Sequence, residues 1–357
     1  MAVPRPRRGA PTNAVSTRFN LNERIADGDW LDDREALGDT PAPVRTTVTV
    51  ERPKTIIARN QSPDIPFDRS INAYRGCEHG CIYCFARPTH AFHDLSPGID
   101  FETKLFAKPD AAALLRAELM KPSYRCAPIA MGTNTDPYQP IERDWRITRG
   151  CIELLAECDH PLMITTKSDR VVRDLDLLAP MAAKGLVSVM ISVTSLDPKI
   201  AMTLEPRAPS PRKRLAAIRA LSDVGVPVQV SISPLIPAIT DHETEAILEA
   251  AAEAGARAAS FIPVRLPHEV APLFRAWLDA HHPDRAGKVM SMIQSIRGGD
   301  RDNDPQFGTR MRGSGPWYDL MRTRFRIACR RYGLDGPRII LRNDLFRPPE
   351  GAQRRLF

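Results

Sequence analysis

No run of apolar residues in this 357-residue chain approaches the length of a bilayer span, so no transmembrane helix is expected. Arg7-Arg8 lacks the apolar stretch that would make it part of an export signal. Cysteine is too scarce for a disulfide framework: seven residues, an odd number, three of them crowded into eight positions. That usage suits a reducing compartment, and a cytoplasmic location is expected. No repeat of fixed period runs through the chain. Lysine is missing from residues 297–357, which hold fourteen arginines against seven acids, a balance of +7 equal to that of the whole chain. Residues 1–45 balance at zero, carry five prolines and show no sustained periodicity, so they read as a disordered or loosely attached leader. What is present suffices for a globular core, with 43% apolar and 26% charged residues.

The densest chemistry lies between Tyr74 and Arg87. Cys77, Cys81 and Cys84 fall at CxxxCxxC spacing beside Gly76 and Gly80, which let the backbone fold tightly. Seven cysteines placed at random would give that pattern with a probability of about 0.3%. A 4Fe–4S cube has four iron corners, usually held by thiolates, and three cysteines leave one iron open to a small molecule. A structural zinc would need a fourth ligand. His79 is at hand, but four ligands inside one eight-residue loop would be unusual. The loop resembles that of the radical S-adenosylmethionine (SAM) superfamily, and Tyr83 and Phe85 add to the likeness. The resemblance implies that SAM chelates the open iron. It also implies that the reduced cluster splits SAM into methionine and a 5′-deoxyadenosyl radical, which takes hydrogen from a substrate.

Thr46 to Val50 and Ile56-Ile57 are β-prone. From Ser70 onward strands and helices alternate, the pattern of parallel βα units. Strands are expected over 70–74, 128–132, 161–165, 186–193, 226–233 and 258–264, with helices at 109–120 and 241–254, the latter capped by Asp241. Cys151 and Cys158 share an apolar helical stripe with Ile147, Leu154 and Leu155, and read as small buried hydrophobes. Beyond 270 the pattern becomes helical, at 270–281, 284–296 and 317–332, with a mobile glycine-rich stretch at 298–315. The expected fold class is α/β. A partial (βα)6 barrel, of the type the resemblance implies, spans 46–280, and a helical, arginine-rich region spans 281–357.

In parallel barrels chemistry collects at the C-terminal strand ends. The segments Gly132-Thr133-Asn134-Thr135-Asp136, Thr165-Thr166-Lys167-Ser168, Ser192-Val193-Thr194-Ser195 and Ser231-Ile232-Ser233 stand there, with Glu205-Pro206-Arg207 beyond. Each alone fits turn or cap chemistry, but four in succession favour a ligand site. For SAM, Lys167 suits the carboxylate, Thr135 or Asp136 the amino group, and Ser192 and Glu205 the ribose hydroxyls and the sulfonium.

This series of segments is similar to that of the spore photoproduct lyase group, over about residues 70–265. That resemblance implies SAM contacts at Lys167 and Ser192. It also marks departures: Thr133 stands where the lyase has a hydrogen-donating cysteine, and Phe85 where it has a tyrosine. Tyr83 is kept and is the candidate catalytic residue. A relative with a different reaction is therefore expected. Its cluster would draw electrons from a flavodoxin- or ferredoxin-like donor. DNA or RNA is the leading substrate class, from the resemblance and the basic tail. The rivals are a small-molecule or peptide substrate, and a non-catalytic metal-binding module for nucleic acid. Lys167 speaks against the last, which has no use for an ammonium beside the cysteine loop.

Overall fold

The computed structural model describes residues 9, 10 and 45–350, so the expected leader lies outside the described residues apart from Gly9, Ala10 and Arg45. Ten strands appear in chain order: β1 (Thr47–Val50), β2 (Ile57–Arg59), β3 (Arg69–Ile71), β4 (Tyr74–Arg75), β5 (Lys104–Ala107), β6 (Ile129–Met131), β7 (Leu162–Thr166), β8 (Val187–Ser192), β9 (Val228–Leu235) and β10 (Ala258–Pro263). Seven form one sheet in the order β10-β9-β8-β7-β6-β3-β2. Its six strands from β3 to β10 run parallel, and β2 adds an antiparallel edge. β2 and β10 are not paired to each other, so the sheet stays open.

The six expected parallel strands are all found. Their Val, Ile and Leu residues suit a pleated surface packed on both sides. Leu162, Ile164, Val187, Val189, Ile191, Val228, Val230 and Ile232 are buried in one core with the flanking helices. Each contributes roughly 1.5–3 kcal/mol through the apolar area removed from water. Helix residues such as Leu154, Leu155, Leu178, Ile218 and Leu248 pack on this face in the same core. The intervening residues, such as Met163, Thr165, Ser188, Met190 and Gln229, are only partly buried and look inward. Cys151 and Cys158 lie in the core, as their stripe predicts.

Other expectations need correction. The first strand stops at Ile71, and Tyr74–Arg75 turns away to pair with β5 in a small sheet ordered β1-β5-β4, whose middle strand was not foreseen. Asp241 does not cap a helix. Its carboxylate accepts the indole N–H of Trp317 at 2.9 Å, and the helix Thr244–Glu253 follows a 3-10 turn. The 298–315 stretch is pinned rather than loose. Arg297 donates to the carbonyls of Pro263, Val264, Arg310 and Arg312. Arg310 pairs with Asp64 at 2.6 Å, and Gly308 N–H donates to the same carboxylate at 2.7 Å. These bonds tie the β2–β3 hairpin at one sheet edge to a loop anchored on β10 at the other.

The C-terminal region packs onto the same core. The helix Pro316–Tyr332 buries Met321, Ala328 and Cys329, and Phe325 meets Phe261 of β10 at 4.8 Å. The chain then crosses the N-terminal strand ends. Asp335 bridges Ala258, Arg342 N–H donates to Gly185 O at 3.0 Å, and Arg347 N–H donates to Cys158 O at 2.9 Å. Among the described residues, no helix is long and apolar enough to cross a membrane.

Candidate functional site

β3 ends and the chain turns at once into the cysteine loop, above the C-terminal ends of the sheet. Gly76 takes φ +71°, where an added Cβ would lie 2.7 Å from Phe101 O. Gly80 takes φ +68°, with the Glu102 carboxylate 2.8 Å from any such atom. Only glycine fits both positions without strain. Tight turns set the pitch of the cysteines: Gly80 N–H donates to Cys77 O, and Cys84 N–H to Cys81 O. Loops of this kind strand carbonyls, and a fully buried arginine satisfies them. Arg87 donates to Cys81 O, Gly80 O, Pro97 O and Gly98 O at 2.8–3.0 Å, and pairs with buried Glu102 at 2.6 Å. Glu102 also accepts the backbone N–H groups of Gly9 and Ala10 at 3.0 and 2.8 Å. On the other side, Thr135 Oγ1 and Gln139 Nε2 both donate to Gly76 O, and Glu78 N–H donates to Gln139 Oε1.

The loop therefore presents three thiols from a rigid frame. Cys77 and Cys81 are buried and Cys84 is partly exposed. Burial pushes the Cys81 thiol up to about 12, with Glu205 and Cys84 adding to the rise and Lys167 opposing it. Burial, Asp136 and the neighbouring thiols likewise hold Cys77 well above its ordinary value. Free thiolates packed this closely would be costly, and iron ions reverse that cost because their charge favours the thiolate form. The donor set thus fits a cluster held at three corners. No group of three or more His, Cys, Asp or Glu among the described residues is gathered tightly enough for a single metal ion. A cube takes its thiolates at separate irons, so it does not require that convergence.

Beneath the loop lies a buried polar network. Asp136 is saturated: its oxygens accept from Tyr138 N–H, Thr166 Oγ1 and Lys167 N–H at 2.7–2.9 Å, and His79 Nδ1 stands 3.4 Å away. Burial would raise its pKa, but His79 and these donors hold it at about 2. Glu205 is equally occupied. Arg214 and the Tyr83 hydroxyl donate to it, as does Thr194 Oγ1 at 2.7 Å. Its pKa also sits near 2, because Arg214 and Lys167 outweigh burial. Arg214 is itself buried and donates to Ser192 O at 3.1 Å and Pro209 O at 2.8 Å. An ion pair this deep is stable only when both partners are so satisfied.

Lys167 is different. Its ammonium lies 5.7 Å from the centre of the Tyr83 ring, and no carboxylate stands within ion-pair distance of it among the described residues. Burial works to lower its pKa, but Cys81 and Glu205 raise it, so it stays a cation. The pairing Thr166↔Ile191 places Lys167 beside Ser192 at the next step of the register, and Ser192 pairs on with Ser231, and Ser231 with Ser260. A row of one ammonium and three hydroxyl side chains thus spans four adjacent strands.

The structure brings Cys77, Cys81, Cys84, Tyr83, Lys167, Ser192 and Glu205 together at one end of the sheet. Thr135 and Asp136 are there too and, like Glu205, are engaged in holding the loop and the network. The oxygens of these three are spent on protein donors and acceptors rather than left for a ligand. Tyr83 is similarly committed through its hydroxyl. Arg87, Glu102, Gln139 and Arg214 were not anticipated. The only sequence hint was their closeness to motif residues, as with Arg87 three positions after Cys84.

The sequence pattern of the radical SAM superfamily matches residues 71–251. An uncharacterized protein of Mycobacterium tuberculosis is 40% identical over 242 residues, covering 66% of this chain and 71% of the relative. Another from Methanocaldococcus jannaschii is 30% identical over 173 residues, 48% of this chain and 62% of its own. Among solved structures, spore photoproduct lyase complexed with dinucleoside spore photoproduct superposes with a TM-score of 0.53 at 15% identity, over 80% of this chain and 79% of the lyase. A double mutant of that lyase, with bound AdoMet and the same dinucleoside, gives 0.54 at 14% identity, over 85% and 91%. At such identity the likeness shows the fold.

Proposed function

The chain belongs to the radical SAM superfamily, an enzyme family that uses a 4Fe–4S cluster and SAM, and we propose that Cys77, Cys81 and Cys84 hold the cluster and that the substrate is nucleic acid. The observation that carries the residue assignment is Lys167, a half-buried cation beside the cysteine loop with no carboxylate of the described chain to pair with. A ligand carboxylate at the open iron corner supplies the missing partner. With both groups bound and one electron delivered, the site supplies a 5′-deoxyadenosyl radical that removes hydrogen from a substrate carbon.

The residues of the chain do the rest. Lys167 orients the methionyl end of SAM, and Ser192, next to it in the register, offers its hydroxyl to the ribose. Tyr83 acts as a positioning residue: its hydroxyl donates to Glu205 and lies 3.4 Å from Thr194 Oγ1, and its ring carries the Lys167 ammonium. Thr133, at the place of the lyase's hydrogen-donating cysteine, hydrogen-bonds to Asn72 and has no weak S–H bond to give. That supports a reaction other than the lyase's. Cys84 is the least buried of the three loop thiols and Phe85 beside it is 56% exposed, so a flavodoxin- or ferredoxin-like donor would reach the cluster from that side. Exposed Arg322, Arg326 and Arg330, on one face of the C-terminal helix, suit the phosphates of DNA or RNA.

The test is anaerobic reconstitution with iron, sulfide, reductant and SAM, and quantification of 5′-deoxyadenosine with DNA, with RNA and with neither. Reductant-dependent product that rises with one nucleic acid is expected. No product in any arm would overturn the enzyme assignment, and product indifferent to both polymers would overturn the substrate class.

A further inference from the structure

The inner face of β7–β10 is not packed as parallel barrels usually are. Branched apolar side chains normally fill such a lumen in layers. Here Met163, Thr165, Ser188, Met190, Gln229 and Ser260 border a cavity of about 580 Å³ instead. The opposite wall is the tail that crosses the strand ends, with Leu334 and Ile339 lining it. The charged residues at the cavity, Arg326, Asp335 and Arg338, are all on this tail side and all exposed. The strand wall carries no charge. The side chains of Thr165, Ser188, Gln229 and Ser260 hydrogen-bond to no other described residue. Four neutral polar groups on four adjacent strands thus face a space far larger than one water needs.

That chemistry selects a ligand. An ion seated against the strand wall would lack a partner and lose its hydration. A neutral ring with donors and acceptors along its edge gains instead, because the Gln229 carboxamide offers one of each side by side. Thioethers such as Met163 and Met190 pack well against aromatic rings. The volume falls in the range of ligand pockets and leaves room for a sugar beside a base. Thr165 lies on β7 two residues before Lys167, and Ser260 ends the Lys167–Ser192–Ser231–Ser260 row, so the cavity lies directly beneath the proposed SAM site.

Resting on the function proposed above, we infer that this cavity is a nucleoside pocket, in which Gln229 and Ser188 read the edge of one base taken out of its strand. The test is equilibrium dialysis of the reconstituted protein with SAM, without reductant, against each of the four labelled deoxynucleosides and ribonucleosides. Saturable binding of at least one is expected. It should weaken about tenfold or more in Gln229→Leu and in Ser188→Leu, which intrudes on the cavity. Iron content and the thermal midpoint report that each variant is folded, and Gln229→Glu, of equal size, serves where Leu destabilises; it should weaken binding as much by placing a charge on the neutral wall. No saturable binding of any nucleoside, or undiminished binding in these variants, overturns the pocket. Because no SAM is cleaved in this assay, its outcome is independent of the 5′-deoxyadenosine measurement.

Discussion

At the C-terminal ends of β6–β9, Glu205 and Arg214 lie buried and Asp136 and Lys167 half-buried beneath three thiols, and the Asp136, Glu205 and Arg214 side chains are held by protein partners. At the N-terminal ends of the same strands the tail is held by other means. Phe346 packs on Tyr124 and His160 at 5.5 and 5.2 Å, Leu334 is buried, and backbone bonds to Gly185 and Cys158 fix the path. The second set of contacts is what any stable fold uses to close an opening. The first set is expensive, because each charge gives up hydration to be there. A protein that concentrates a network of paired charges beneath three thiols at one end of its sheet, and closes the other with packed rings and backbone bonds, has put its bond-making chemistry at the first. The arginine excess visible in the sequence belongs to the second region, and mostly faces outward.

The comparison breaks most completely if the thiols can be removed without consequence. The reconstituted protein should hold about four irons and four sulfides per chain. Cys77→Ala, Cys81→Ala and Cys84→Ala should each lose the cluster's visible absorbance. The double variant Cys151→Ala with Cys158→Ala should keep its iron while losing some stability, because both side chains are packed in the core. Full iron in a loop variant would contradict the assignment, and halved iron in the double variant would place a second cluster there.

Next in size is the contrast between ion pairs. Arg214→Met leaves Glu205 buried and unpaired and should cost about 3–5 kcal/mol in urea unfolding. Arg324→Met breaks a bidentate but half-exposed pair with Glu245 and should cost under about 1 kcal/mol. The acid limb follows from the same network. Glu205 and Asp136 titrate near 2, below their ordinary 4.5 and 3.8. Stability from depressed carboxylates is present above the unfolded values and is lost as pH falls through the folded ones. Stability should therefore drop between about pH 4.5 and 2, and Glu205→Gln should flatten that slope. Equal costs for the two arginines, or an unchanged slope, would show that the two regions do not differ as described.

Much of this division was legible in the chain. Alternating strand and helix segments marked the six parallel strands, most clearly the Val- and Ile-rich runs at 186–193 and 226–233, and CxxxCxxC marked the loop. Lys167 and Ser192 could be placed at neighbouring strand ends because strand order follows sequence order. Arg214 was not legible. It sits in Pro211-Arg212-Lys213-Arg214, a run that reads as a solvated helix face, and only the packing of that helix over β8 buries the last of the three. Asp136 and Glu205 were visible as site residues but not as saturated ones, since hydrogen-bond occupancy depends on Tyr138, Thr194 and other partners fixed by tertiary folding. β5 escaped because Lys104–Ala107 is four residues long and alternates too briefly to show a period.

A smaller effect is expected from the outward arginines. Replacing Arg322, Arg326 and Arg330 together with Gln should leave unfolding stability within about 0.5 kcal/mol, as for other surface changes. DNA binding should become less dependent on salt, its log–log slope falling by about 0.9 for each phosphate that is no longer neutralised. An unchanged slope would make this face a solvated surface and remove it from the substrate site.

The central claim is that the charged end of the sheet binds SAM through Lys167. Its most direct test is a SAM titration of the reduced, reconstituted protein, followed through the EPR signal of the cluster, in wild type and in Lys167→Ala. A charge-assisted hydrogen bond of this kind is worth roughly 1.5–3 kcal/mol. The account predicts that SAM alters the signal in both proteins and that the variant needs about 10- to 150-fold more of it, with iron content unchanged. A titration midpoint equal to that of wild type would contradict it.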